Sequence, residues 1–260
     1  MKYKLLILVL ILFKITANCQ NKGLVYYGQI ESVTLKSPSG PDYNAYLVFN
    51  NNESYYVSRK DSLDMDTEFK TIYRTEDGMA GISLGTKLTF RYGNQVYNNR
   101  LKDSLYWNQW VDFYVAEKTP KIEWELKKET KKIGDFTAHK AKGKFRGRTY
   151  TAWYVLEIPL PFGPWKLQGL PGLILEAFDE DKEMFIYFKG LEYPTDNKAS
   201  IVQIKRPEDH PKNWLTLQDF KDRLDDIYEK SINSSILMAQ RQGVNEPEEN
   251  IKSEMLLESF

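Results

Sequence analysis

The chain has 260 residues, 36 Lys and Arg against 36 Asp and Glu, two His and one Cys. That length suffices for one large core; the zero net charge argues against a basic nucleic-acid binder; a single Cys excludes an internal disulfide framework or a Cys-based zinc ribbon. Aromatic residues make up 14% of the chain, a composition suited to a β-rich globular protein.

Lys2 and Lys4 precede an apolar run, Leu5 to Phe13, followed by the polar stretch Lys14 to Gln20. A basic start, a short hydrophobic centre and small residues near a cut site predict a secretory leader over residues 1–19. The run is too short to span a bilayer. With Ala17 and Cys19 as the small residues, cleavage after Cys19 gives a soluble product starting at Gln20. The alternative is a lipoprotein anchored at Cys19, but Thr16 and Asn18 are poor residues for a lipobox. Cleavage removes Lys2, Lys4 and Lys14 and no acid, leaving 33 basic against 36 acidic side chains.

Period-2 alternation dominates the chain beyond the leader. Tyr46–Phe49 and Tyr55–Val57 flank Asn50-Asn51-Asn52-Glu53 as a hairpin. Arg59 to Gly85 is long and polar, with room for a short helix. Leu88, Phe90 and Tyr92 alternate with polar residues before a Gly93-Asn94 turn. Ile122, Trp124 and Leu126 alternate with Lys and Glu, which predicts a strand with one buried face, and Gly134-Asp135 makes the next turn. Lys140, Lys142, Lys144, Arg146 and Arg148 keep strict period 2, the pattern of a solvated basic face. Tyr150, Ala152, Tyr154, Leu156 and Ile158 line one side of a strand, while Trp153 and Val155 on its other side suggest burial on both. Leu173–Phe178 and Met184–Phe188 flank a second hairpin tip, Asp179 to Lys182. The convincing helix spans residues 216–242: Thr216 N-caps it, Asp219 sits in its first turn, and Leu217, Phe220, Leu224 and Ile227 form its stripe. Gly243 is its natural stop. Residues 245–260 form an acidic tail. Nine or ten strands with short turns predict a mainly β, single-domain antiparallel meander over residues 20–244, a curved sheet or half-open barrel with a C-terminal helix.

Few residues suggest chemistry. Gly81-Ile82-Ser83-Leu84-Gly85 matches a nucleophile elbow, but that elbow needs a strand turning into a helix, and here an alternating strand comes next. A serine hydrolase is rejected on this context. His139, within a strand, and His210, in a loop before the helix, would need converging carboxylates to act. Asp179-Glu180-Asp181-Lys182-Glu183 lacks the central Gly and terminal Glu of a calcium loop and reads as a solvated hairpin tip. No metal and no cofactor is expected.

The most distinctive stretch runs from Pro159 to Glu176 and holds Gly163-Pro164-Trp165-Lys166-Leu167-Gln168-Gly169-Leu170-Pro171-Gly172-Leu173-Ile174. Pro171-Gly172 fits the centre of a type II turn, with the positive φ on Gly172. Gly169 permits close backbone approach, Trp165 covers the bend, and Leu170, Leu173 and Leu175 enter the core. Its role is architectural, a rigid crossover that shapes a concave surface or rim.

That stretch resembles the GLPGLI family, secreted proteins typical of Bacteroidota, through Gly169-Leu170-Pro171-Gly172-Leu173-Ile174. Trp124, Lys131-Lys132-Ile133-Gly134, Lys140-Ala141, Phe145-Arg146-Gly147-Arg148, Ala152-Trp153-Tyr154, Glu157-Ile158-Pro159 and Gly163-Pro164-Trp165-Lys166 look like further blocks of that family in order. The resemblance implies export to the periplasm or cell surface and, more loosely, a partner in outer-membrane transport or envelope maintenance. It transfers no catalytic residues. A weaker likeness is to periplasmic lipoprotein carriers, in which a half-open barrel holds acyl chains. Three readings remain open: a binding or accessory module without chemistry, a carrier of a hydrophobic ligand, or an enzyme built on Glu123, Glu125, Glu157 or Glu176. The first is preferred, with Trp153, Glu176 and His139 as candidate ligand or partner contacts.

Overall fold

The computed structural model describes residues 22–32, 39–60, 71–74, 80–83, 92–109 and 113–242. The leader with Cys19, the Leu88–Phe90 alternation, the Gly243 stop and the acidic tail lie outside the described residues. Among the described residues thirteen strands and one helix form: β1 (Gly23–Glu31), β2 (Gly40–Phe49), β3 (Glu53–Ser58), β4 (Thr71–Arg74), β5 (Ala80–Ser83), β6 (Asn94–Asn99), β7 (Ser104–Gln109), β8 (Phe113–Lys118), β9 (Trp124–Ile133), β10 (Phe136–Phe145), β11 (Arg148–Val155), β12 (Leu173–Asp179), β13 (Met184–Glu192) and α1 (Leu217–Gln242). Gly81, Ile82 and Ser83 of the elbow-like pentapeptide lie on β5, paired with β4. A ladder strand cannot supply the sharp turn into a helix that a nucleophilic serine needs.

The protein is mainly β. Eleven strands run antiparallel in the order β8-β7-β6-β3-β2-β1-β13-β12-β11-β10-β9, with β4 paired to β2 and β5 to β4 at its margin. The antiparallel meander predicted from the sequence runs in two halves, one stepping outward from β1 to β8 and one stepping inward from β9 to β13. They join where β1 pairs β13, from Leu24 opposite Glu192 to Glu31 opposite Met184. The physical reason is on β1 itself. It is buried along nearly its whole length, so it needs neighbours on both edges and cover on both faces. The path ends, β8 and β9, share no ladder, so the sheet does not close into a barrel.

Local chemistry sets the turns. Asn50 Oδ1 accepts the amides of Asn52 (2.8 Å) and Glu53 (2.9 Å), which folds the β2–β3 hairpin. Arg146 and Gly147 take φ of 48° and 77°, the two positive values of a type I′ turn, between the paired residues Phe145 and Arg148. At the helix start Asp219 N donates to Thr216 Oγ1 (3.1 Å) and Thr216 N to Asp219 Oδ2 (2.9 Å), a reciprocal cap. Phe220, Leu224 and Tyr228 face the core, whereas Ile227 is 44% exposed. Tyr228, four residues past Leu224, completes the stripe that Ile227 was expected to continue.

Both faces of the sheet carry cover. On the inner face Leu47, Phe49, Trp107 and Tyr150 pack with α1 and with Phe162, Leu167 and Leu170 from the β11–β12 connection. On the outer face an extended strap, residues 195–215, lays Ala199 and Ile204 over Leu24, Val48, Tyr55, Val57, Tyr97 and Tyr114. Gln95, fully buried, holds the strap as a ladder residue would: its Nε2 donates to Lys205 O (2.8 Å) and its Oε1 accepts Lys205 N (2.9 Å). Just before α1, Leu215 exchanges backbone hydrogen bonds with Tyr114 and Ala116 along the free edge of β8. The opposite edge, β9, is Lys- and Glu-rich, and Leu126 is 55% exposed. Of the alternating residues predicted to be buried there, Ile122 is buried and Trp124 packs against the core, whereas Leu126 on this charged edge strand faces water.

Candidate recognition surface

The Pro/Gly connection between β11 and β12 lies inside the molecule as a plug rather than on a rim. Gly169 N donates to Pro161 O (3.0 Å), Leu173 N to Ile158 O (3.0 Å) and Ile174 N to Phe162 O (3.0 Å), so the loop folds onto itself. The two glycines exchange the roles expected of them. Gly169 takes the positive φ, 95°, whereas Gly172 does not, and a Cβ at 172 would overlap the Val155 carbonyl oxygen. The type II turn at Pro171-Gly172 is therefore not formed, and glycine is required at 172 by contact with β11. Gly163 is likewise pressed against Leu167 O and Ile174. Pro164 opens a turn closed by Leu167 N, and Trp165 covers the bend against Phe145 (5.8 Å) and Tyr150 (6.1 Å). Leu170, Leu173, Ile174 and Leu175 are all buried.

The plug is tied to β9 and to the link between β8 and β9. Trp124 Nε1 on β9 donates to Gln168 O (2.8 Å), and Gln168 Nε2 donates to Pro120 O (2.5 Å) in the link between them. Lys166 is only 2% exposed and sets its ammonium 3.3 Å from the Trp107 ring centre, a cation–π contact. The same indole donates from Nε1 to Glu117 Oε1 (2.7 Å). Glu117 on β8 also accepts Arg146 Nη2 at 2.6 and 2.7 Å, and both side chains are 8% exposed. This buried pair fastens one end of the sheet to the β10–β11 turn near the other.

The basic row is only partly solvated: Lys144 is exposed, and the other four meet carboxylates. Lys140 meets Glu129 and Lys142 meets Glu180. Arg146 leaves the strand as a turn residue, and Arg148 donates to both Asp179 (2.5 Å) and Glu183 (2.6 Å). Burial alone would lower the Arg148 pKa, but hydrogen bonds to Glu183 and Asp179 raise it above the usual guanidinium value. Asp179 and Glu183 are thus buried flanks of their hairpin, and only Glu180, Asp181 and Lys182 form a wet tip. Asp179 Oδ1 also accepts Met184 N (3.0 Å), which fixes it as a structural group. Among the described residues no cluster of three metal-ligating side chains occurs.

Of the three candidate contacts, the fold joins two and separates one. Trp153 and Glu176 are directly opposite on β11 and β12. Lys131 pairs with Glu176 and lies 4.5 Å from the Trp153 ring centre. His139 is opposite Tyr154, with ring centres 5.8 Å apart, and so belongs to the other side of the sheet. His210, on the strap, packs on Tyr114 (4.5 Å). Trp153 is half-exposed while Val155 is buried, so burial on that side of β11 is partial.

Beyond Trp153 and Glu176 the same outer face continues into half-exposed rings. Phe178 is opposite Phe185 (ring centres 5.8 Å), and Phe185 lies 5.8 Å from Tyr187 with planes inclined by only 21°. Tyr187 lies across Gly28 of β1, where a Cβ would strike its ring, and donates to Asp42 Oδ2 (2.7 Å). Lys189 Nζ donates to Asn44 Oδ1 (2.9 Å) beside it. The strap packs on the β1–β2–β3–β6–β8 part of the outer face, and this aromatic band lies on the other part. Sequence reasoning missed the band, although Met184-Phe185-Ile186-Tyr187-Phe188, apolar at every position, is the signal of a strand with two apolar faces. Gln95, Glu117 and the buried Lys166 carried no local signal.

The model of a family described as "Protein of unknown function (Porph_ging)" matches residues 144–176. The matched segment is the β10–β11 turn, β11, the plug and the first part of β12. No curated protein matches the chain. Two solved structures of PNGF-II, in different crystal forms, are similar at 13% and 16% identity, with TM-scores of 0.47 and 0.46. The alignments cover 78% and 77% of this chain and 32% of those chains, so this chain spans about a third of the length of the structures it matches.

Proposed function

We propose that the protein is a non-catalytic binding module of the cell envelope, of the kind its GLPGLI-like segment suggests, and that it recognises a protein partner through Trp153, Phe178, Phe185 and Tyr187. The observation that carries this reading is the contrast within one face: half is covered by the strap, while the other half holds half-exposed aromatic rings in mutual contact. Aromatic side chains of this kind dominate the energetic centres of protein interfaces. Glu176, the most suspect carboxylate, is paired with Lys131 and lies opposite Trp153, which supports a structural role for it. Export is part of the same proposal and rests on the Lys2/Lys4 start and the Leu5–Phe13 run. Among the described residues no helix is long and apolar enough to cross a membrane.

A photo-reactive amino acid placed at 185 in cells tests the surface. The expected result is one discrete adduct, lost when Trp153→Ala is added and absent when the probe sits at 106 beneath the strap. Adducts of equal yield at 106 and 185, or none at 185 and 178, would overturn the reading. N-terminal sequencing of the protein from the envelope fraction is expected to begin at Gln20; an intact Met1, or an acylated Cys19, would refute the soluble leader product.

A further inference from the structure

The crevice between β6 and the plug is lined by Asn98, Leu105, Phe162, Lys166 and Gln168, with Ser54 from β3. Its volume is ≈ 10 Å³, about what one water-sized sphere occupies. Asn98 is 5% exposed, and its Oδ1 is buried without a hydrogen-bond partner among the described residues. Its neighbour Asn99, on the opposite face of β6, is the contrast. Asn99 Nδ2 donates to Glu53 Oε1 (2.7 Å) and its Oδ1 accepts Lys102 N (3.0 Å). Buried side-chain acceptors in native proteins are almost always satisfied, by protein or by ordered water. An asparagine that only filled space here would be outperformed by leucine, since an orphaned acceptor is costly.

We infer that this crevice is a binding site for one structural water, which donates to Asn98 Oδ1 and ties β6 to the plug. The chemistry of the lining suits it. A buried water makes two to four hydrogen bonds; the Ser54 hydroxyl and the Lys166 ammonium supply donors for its lone pairs, and the loop backbone supplies acceptors. Apolar walls from Leu105 and Phe162 limit the site to a single molecule. The water would act as a removable pin on the segment from Phe162 to Gln168.

Two measurements on the full chain test this. A high-resolution crystal structure is expected to show one water within hydrogen-bond distance of Asn98 Oδ1. In solution, a long-lived water cross-peak to the amide of Leu167 is expected in the wild type and absent in Asn98→Leu, with exchange of the Leu167 and Gly169 amides about tenfold faster. Asn98→Ser, smaller and still polar, should keep the water signal if Asn98→Leu fails to fold. A dry crevice, a metal ion in it, or an Asn98 amide turned so that Oδ1 meets a protein donor would overturn the inference.

Discussion

The inner and outer faces of the sheet are sealed by different devices. Inside, the plug is held by backbone contacts that leave no room for error, at Gly172 against Val155 O and at Gly163 against Leu167 O. Outside, the strap is held by side-chain amides that imitate a ladder, chiefly Gln95 on Lys205, and beyond it the aromatic band of Phe178, Phe185 and Tyr187 stands half-exposed. A face closed by backbone geometry tolerates little substitution. A face closed by a few hydrogen bonds can open locally without loss of the fold. The gradient from plug to strap to open band therefore runs from stability toward recognition.

The sharpest way to break this contrast is Gly172→Ala. The new methyl would overlap a strand carbonyl, and relief requires moving β11 or the plug, so a loss of about 4 kcal/mol or no soluble protein is expected, read by denaturant unfolding. Glu117→Gln comes next: it leaves Arg146 buried without its carboxylate, for an expected loss of about 3 kcal/mol. The double variant Glu117→Gln with Arg146→Met should recover part of that loss, since it removes the buried charge while the Gln oxygen still accepts from Trp107 Nε1. Gln95→Ala should cost about 1–3 kcal/mol, and hydrogen exchange should speed up first along residues 199–206, with the inner strands still protected. Uniform loosening of both faces would refute separate sealing.

The tyrosines sharpen the comparison through pH. Burial pushes the Tyr27 hydroxyl, which donates to Ile174 O, and the Tyr56 hydroxyl well above the ordinary phenol value. On the outer face burial, and then the hydrogen bond and charge of Glu192, lift Tyr26 to about 12. A raised folded-state pKa favours the neutral form, so this stabilisation is complete below about pH 10 and is lost as pH rises beyond it. In an alkaline titration followed by tyrosinate absorbance, Tyr26 should ionise in the folded protein near pH 12, and Tyr27 and Tyr56 only on unfolding. Replacing Tyr27 by Phe should remove part of the slow, unfolding-linked change.

What was legible in the sequence was local. Asn50 and Gly134 announce their hairpins because a turn is built within four residues; Thr216 and Asp219 announce the helix because a cap spans one turn. The mainly β class emerges from alternation along strands such as β11. Features that depend on distant residues were not legible. The β1–β13 pairing has no signature in either strand beyond continuous apolarity, and the strap explains why Tyr55 and Val57 are buried only once residues 199–204 are placed over them. Gly169 and Gly172 show the limit well: the need for glycine is readable at both, but which one takes positive φ and which needs space depends on where β11 runs. Trp153 and Glu176 meet because β12 lies beside β11, whereas His139 goes to the opposite side because its strand partner is Tyr154.

The pairing of β1 with β13 also bears on how the chain assembles. A polypeptide delivered N-terminus first presents β1 early, yet its second neighbour arrives only after the plug and the β12–β13 hairpin have been made. Such long-range closure is slow to form, and until then one side of β1 remains an unsatisfied edge, open to a holding chaperone or to another copy. Any truncation ahead of Met184 would leave that edge without its β13 partner, which makes the integrity of the β12–β13 hairpin the checkpoint for the whole sheet.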